Sequence, residues 1–314
     1  MPGWWDVDSG RLTHIAPAPP PQGNGFSFFL IPRDSGFAAL RPAEGRCDGC
    51  PGNPERVELV VGQGTARLGP LGNSIAAAAN GYGIWVTTYH LAAVATSDPR
   101  QFAAVQQIDL AGRVLSAPRR LPAGSTVIRG VRGGLLLYDD PMKEPAAFVW
   151  DPFRRRTVLR IAGFAIDATS DLIAWQNSDC TLAHCAIHVI DLTGGHRRDY
   201  ANPVGKMPQE GAISPDGRYL ALREYGDPTA GDPGRLSSVA VTVIDLRTHA
   251  DVTVPGSKIG LNSDSSHGYN AVGWSPDSRY LVLQAGQQPA LWRVGAPELW
   301  LTRPLPEDAV VVPS

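Results

Sequence analysis

The chain has 314 residues, 43% of them hydrophobic and 18% charged, with a formal net charge of −2. That length supplies one large domain or two ordinary ones and a sizeable core, while the near balance of charge excludes a general pull toward nucleic acid or an anionic membrane. No run of about 18 apolar residues is present, so no bilayer-spanning helix is expected, and the 34 glycines and 28 prolines spread along the chain predict many turns rather than a disordered tail.

In chain order, the first element is a hairpin in "WWDVDSGRLTHI" from Trp4: an apolar run, an aspartate, a turn and a second short strand. The same phrase returns as "VELVVGQGTARLG" from Val57, "VQQIDLAGRVLS" from Val105, "FVWDPFRRRTVLRI" from Phe148, "IHVIDLTGGHRRDY" from Ile187, "VTVIDLRTHADVTV" from Val241 and "ALWRVGAPELWLT" from Ala290. The aspartates Asp109, Asp151, Asp191 and Asp245 lie 42, 40 and 54 residues apart. Most copies are preceded by a second hairpin: "AAAANGYGIWVTTYH" from Ala76, "IRGVRGGLLLYDD" from Ile128, "AIDATSDLIAWQN" from Ala165, "ISPDGRYLALREY" from Ile213 and "WSPDSRYLVLQAG" from Trp274.

Two hairpins make four strands in series, and a period of about 40 to 50 residues with several strands per unit is the signature of a propeller blade. Helical periodicity is rare, and the apolar runs are short, β-branched and bounded by turn residues. The expected fold is all-β: a seven-bladed β-propeller of four-stranded antiparallel blades, with six blades as the alternative. One domain spans residues 1–314, and an N-terminal outer hairpin at 3–15 shares a blade with a C-terminal strand at 308–313, closing the ring.

Within "SPDGRYLAL", Pro215, Asp216 and Gly217 have turn chemistry. Leu220 and Leu222 fall on one face of the strand and Tyr219 and Ala221 on the other. Recurrence at blade spacing makes Asp216 and Asp277 turn-formers rather than catalytic acids, since a catalytic residue is needed once and a structural one in every blade. These phrases, with "VTVIDLRTHA" and "ALWRV", resemble the repeats of the TolB-like, WD40-like (PD40-type) β-propeller family over roughly residues 205 to 300 and, more faintly, 105 to 200. The resemblance implies a scaffold that binds proteins or peptides across one face of the disc and implies no specific ligand. Tryptophan–aspartate and glycine–histidine dipeptides at true WD40 positions are absent.

The four cysteines form two close pairs, Cys47 with Cys50 and Cys180 with Cys185. Local pairs favour two disulfides and an oxidising compartment; a redox centre wants a helix N-terminus, a zinc site needs the pairs to converge through the fold, and free thiols are the remaining reading. The first ten residues carry no basic or apolar leader segment. The protein is therefore expected to be extracellular or attached to the cell envelope, its signal or anchor lying outside this sequence, with the cytoplasm as the alternative.

No glycine-x-serine-x-glycine elbow and no paired-histidine metal motif occurs among the seven histidines, so no catalytic residue, metal ligand or cofactor is assigned. Function is expected in the non-repeating links around the channel. The binding candidates are Asn262, Asp264, His267 and Tyr269 in "GLNSDSSHGYN", with Asp98, Asp139 and Asp140 in other links. Arg154, Arg155 and Arg156 read as a solvated hairpin tip, and His188 as an ordinary polar residue of the sheet. The leading expectation is a monomeric, non-catalytic binding propeller for a protein, peptide or glycan. The competing one is a propeller hydrolase, lyase or cyclase whose acid and base converge at the channel mouth.

Overall fold

The computed structural model describes side chains for residues 104–109, 113–139, 146–177, 185–202, 211–223, 241–256, 272–275, 277–283 and 289–302 and for Trp85, and backbone alone for 102–103, 210, 284–285, 288 and the strands before residue 91. Every regular element among these residues is a strand. β1 (Gly3–Trp5) pairs antiparallel with β2 (Leu12–His14), Trp4 opposite Thr13. Six four-stranded sheets follow. They are β3 (Phe29–Arg33), β4 (Gly36–Pro42), β5 (Arg56–Val61) and β6 (Gly64–Pro70); β7 (Ser74–Asn80), β8 (Gly83–His90), β9 (Phe102–Ile108) and β10 (Arg119–Arg120); β11 (Thr126–Val131), β12 (Gly134–Tyr138), β13 (Ala147–Asp151) and β14 (Arg156–Ile161); β15 (Phe164–Ala168), β16 (Leu172–Gln176), β17 (Ile187–Asp191) and β18 (His196–Tyr200); β19 (Glu210–Ile213), β20 (Tyr219–Arg223), β21 (Val241–Asp245) and β22 (Asp251–Thr253); and β23 (Val272–Trp274), β24 (Tyr280–Ala285), β25 (Gln288–Arg293) and β26 (Trp300–Leu301).

Each four-stranded sheet is an antiparallel meander in sequence order, the strand order of a propeller blade. All seven repeats of the aspartate phrase lie where hairpins or their remnants form, and all five preceding hairpins are first-to-second-strand pairs. The hairpin β3–β4, outside the repeats recognised in the sequence, completes the first sheet. "VQQIDLAGRVLS" departs from expectation: after β9 only Ile108 bridges Val114, and the fourth strand forms later, at Arg119–Arg120. The cause is local. Asp109 accepts the Arg113 N–H and side chain, and the Leu115 and Ser116 N–H groups share the Gln107 carbonyl, so the chain bulges before it can pair.

Packing divides the chain into two units, Met1–Asp6 with Arg11–Arg160, and Val7–Gly10 with Ile161–Ser314. In the first unit the core between the second and third sheets is Trp85, Val105, Leu121, Leu135, Leu137, Phe148 and Trp150. In the second unit the strand "YLALR" works as its alternation predicts. Leu220 and Leu222 pack toward β15–β18 with Ala174, Ile187 and Val189, while Ala221 and the flanking Tyr219 pack toward β23–β26 with Trp274, Leu281 and Trp292. Within the second unit the sheet β19–β22 thus buries both faces between its two neighbours, at about 1.5–3 kcal/mol for each large apolar side chain covered. Polar bonds tie neighbouring sheets at the same places: the Ile213 N–H donates to Asp167 at 2.7 Å, the Trp274 indole N–H to the Ala212 carbonyl at 2.9 Å, and the Tyr200 hydroxyl to the Leu246 carbonyl at 2.8 Å.

Candidate functional site

The repeated polar residues are used up by turns. Ser214 Oγ donates to Asp216 Oδ1 and accepts the Tyr219 N–H, and Asp216 also accepts the Arg218 N–H. The second corner repeats this set with Ser275, Asp277, Arg279 and Tyr280. The aspartates that end the third strands do the same: Asp151 accepts the Phe153 and Arg154 N–H groups, Asp191 the Thr193 N–H and hydroxyl, and Asp245 the Arg247 and Thr248 N–H groups. The Thr193 hydroxyl and N–H hold the Asp191 carboxyl below the usual range. Burial would raise Asp245, but the Arg247 N–H, the Arg218 guanidinium and the Thr248 N–H together outweigh it, and it too titrates low. These carboxylates are scaffold.

One polar row runs across the sheet β15–β18. The register sets Trp175, His188 and Asp199 side by side on β16, β17 and β18. His188 is buried, with its Nδ1 2.8 Å from Asp199 Oδ1. That carboxylate also receives the Arg197 Nε–H at 2.9 Å, and the Arg197 guanidinium lies 5.3 Å over the Trp175 ring. The His188 ring and Arg197 hold Asp199 below the ordinary carboxylate range. Arg197 Nη2 also lies 2.9 Å from His188 Nδ1, so the Asp199 carboxylate and the Arg197 guanidinium both approach that one ring nitrogen. The row locks the outer strands, with a cation, a ring and a carboxylate stacked in one layer.

Consecutive connections in a meander alternate ends, so the links from second to third strand leave every sheet at the end opposite these turns. The last residue of the second strand occupies one register place: Tyr138 opposite Ala147, Gln176 opposite Ile187 and Arg223 opposite Val241. The scaffold positions repeat, whereas this place carries a different polar side chain in each of the three sheets. Gln176 is 1% exposed, and among the described residues neither its amide nitrogen nor its amide oxygen has a hydrogen-bond partner. Arg223 is also buried. Sequence reading passed over Gln176 as a strand residue; its register identity with Arg223, against the leucines and alanines beside them, was the available signal.

Of the candidates from sequence, Asp139 begins such a link: it is exposed, and its N–H donates to the Ala146 carbonyl. Cys185 is disulfide-bonded. Asp98, Asp140, Asn262, Asp264, His267, Tyr269, Cys47, Cys50, Cys180 and the strand at 308–313 lie outside the described residues. Trp85, Trp150, Trp175, Trp274 and Trp292 are all buried. Among the described residues no three histidine, cysteine or carboxylate side chains converge as a metal site, and no helix is long and apolar enough to cross a membrane.

Fold and site together define an all-β chain built of consecutive blade-like meanders. Its solved structural neighbours include a eukaryotic initiation factor (13% identity, TM-score 0.48, covering 96% of this chain and 73% of that one) and a TolB of Agrobacterium tumefaciens (12%, TM-score 0.41, 71% and 78%). They also include the tricorn protease (11%, TM-score 0.38, 86% of this chain), of which this chain spans 36%. No protein-family model matches the chain, and no curated protein sequence does.

Proposed function

We propose that this protein is a non-catalytic recognition propeller, in which the six four-stranded sheets are blades of one domain over residues 1–314. The hairpin β1–β2 and a strand at 308–313 make a seventh blade, and six blades is the alternative. The partner is a protein, peptide or glycan, contacted through the links that leave the second strands and join successive blades. Asn262, Asp264, His267, Tyr269, Asp98, Asp139 and Asp140 are the contact candidates. The disulfide at Cys185 supports an extracellular or envelope location and a local bridge to Cys180, with a second bridge between Cys47 and Cys50.

The observation that carries this reading is Gln176. A buried amide with both polar atoms unsatisfied costs stability, on the order of 1–3 kcal/mol for each group. Both atoms are closed to solvent, so in this reading the link beside Gln176 opens on a partner, which then supplies the missing donor and acceptor. Binding would then recover a cost already present in the free protein.

The test is capture from the source's culture fluid and envelope extract on immobilised wild type and Gln176→Leu protein in parallel. Wild type is expected to retain a discrete partner that the variant loses at least tenfold, with the variant's melting temperature equal or higher. Equal retention by both proteins, or turnover of a metabolite panel by the wild type, sinks the proposal.

A further inference from the structure

The near balance of charge over the whole chain conceals a local excess. Residues 101–161 carry nine arginines and one lysine against four aspartates and one glutamate, in a chain that nets −2. Three of those arginines, Arg154, Arg155 and Arg156, follow Phe153 on the tip between β13 and β14, and all four side chains are exposed. Arg154 lies 3.7 Å from the Asp151 carboxylate, whereas Arg155 and Arg156 form no ion pair among the described residues. The tip is held by its own backbone: Asp151 Oδ1 accepts the Phe153 and Arg154 N–H groups at 2.8 and 3.0 Å.

A second turn of the same unit stands beside it. Phe153 meets Trp85 edge to face, centroids 5.6 Å apart, and Trp85 is the register partner of Gln107 on β9. The Gln107 carbonyl receives the Leu115 N–H at 2.8 Å, and the Gln107 N–H donates to Ser116 Oγ at 3.0 Å. The bulge at 113–116 is thereby seated on the strand next to the one that Phe153 packs against. A regular strand here would turn Val114 and Leu115 to opposite faces. The bulge leaves both in solvent, 58% and 53% exposed, as Phe153 is at 56%. Arg113, bound to Asp109 at 2.6 Å, adds no net charge to this turn.

Three large apolar side chains on two neighbouring turns, beside unpaired guanidinium groups, exceed the scatter of single apolar residues that any surface carries. A protein or peptide partner would have to match both turns with one shaped surface. A lipid surface needs no such match: apolar tips enter the acyl boundary while guanidinium groups stay at the phosphates. We propose that these two turns form a contact surface for an anionic phospholipid bilayer. Val114, Leu115 and Phe153 enter the acyl boundary, and Arg154, Arg155 and Arg156 pair with lipid phosphates. The contact is peripheral and reversible, because short apolar tips and a few charges add together and neither suffices alone. Backbone bonds already fix both turns, so little ordering is lost on contact. This surface lies at the turn ends of the strands, and it stands whether or not the links at the other ends recognise a partner.

The experiment is flotation of the full chain with vesicles of pure phosphatidylcholine and of phosphatidylcholine with about 30% phosphatidylserine. Both are run at about 0.1 M and about 1 M NaCl, where the screening length falls from roughly 10 to 3 Å. Wild type is expected to float about tenfold more with the anionic vesicles and to be released by the higher salt. Arg155→Glu with Arg156→Glu, and separately Leu115→Ser with Phe153→Ser, should each lower the bound fraction about fivefold at an unchanged melting temperature. Gln176→Leu should float as wild type. Equal flotation with both vesicles, or an unchanged bound fraction in either double variant, overturns the proposal. Retention of the wild type on polyglutamate beads without flotation assigns the arginines to an acidic protein partner and overturns it too.

Discussion

Ser278 Oγ accepts the backbone N–H of Asp216 at 3.0 Å, joining the two corners that repeat the same phrase. The bond explains a departure from the pattern. Gly217 has φ +69°, and a Cβ there would press to 2.9 Å from Leu172 Cδ1 of the preceding sheet. Ser278 holds the corresponding place with φ +60° and is 7% exposed. Its neighbour across the gap is a backbone donor rather than a leucine methyl, so a hydroxyl is tolerated in a strained conformation because it satisfies that donor.

Ser278→Ala keeps the strain and loses the bond to the N–H of the exposed Asp216, so it should cost about 0.5–1.5 kcal/mol. Ser278→Gly loses the bond but relieves the backbone, and should stay within about 1 kcal/mol of wild type. Denaturant unfolding of the three proteins checks the order; an alanine variant as stable as the glycine one contradicts the role given to the hydroxyl.

Arg155, Gly195 and His249 take the same left-handed position in three successive third-to-fourth-strand turns, with φ of 52°, 69° and 64°. Arg155→Gly should stabilise the protein by about 0.5–1 kcal/mol, read as a rise in melting temperature. His249→Gly should gain less, because the His249 ring stacks on Tyr200 at 4.6 Å. A larger gain at 249 than at 155 would show that the stacking contributes nothing.

Asp191, Asp199 and Asp245 all titrate below the ordinary carboxylate value. A depressed folded-state pKa means that the unfolded chain binds protons first as pH falls. Stability from these groups is therefore complete above about pH 5 and is lost on acidification through and below about pH 4. Melting temperatures from pH 7 to 3 should drop over that window, and Asp245→Asn, which keeps an acceptor for the turn, should flatten the drop. A profile identical to wild type would remove Asp245 from the linkage.

Gln176→Leu replaces an unsatisfied buried amide by an apolar side chain of similar size in an apolar sheet interior. An increase of about 1–3 kcal/mol in unfolding free energy is expected. A loss of stability would mean that the amide is satisfied in solution, and would remove the observation on which the recognition reading rests.

Much of the strand order was legible because it is written in local chemistry that recurs. A proline–aspartate–glycine corner sets a turn from its own side chains, and alternation in "RYLAL" assigns opposite faces without knowledge of what covers them. The places where pattern reading slipped are those where a local signal was weak or overruled. β3–β4 has no aspartate phrase, and the strand expected after Asp109 moved to Arg119–Arg120 because Asp109 and Gln107 captured the intervening N–H groups.

Turn chemistry and period-2 alternation reach only a few residues along the chain, which is why the primary structure alone determined most of the hairpins and the structural reading of Asp216 and Asp277, but not β3–β4 or the place of β10. Residues about 60 positions apart meet only after the sheets pack. Tertiary structure therefore decided that Ser278 serves Asp216, that Gln176 is buried with its amide unsatisfied, and that a solvated-looking arginine turn carries Phe153 against Trp85. Burial and hydrogen-bond satisfaction are properties of neighbours in space, and neither is encoded in the spacing of a repeat.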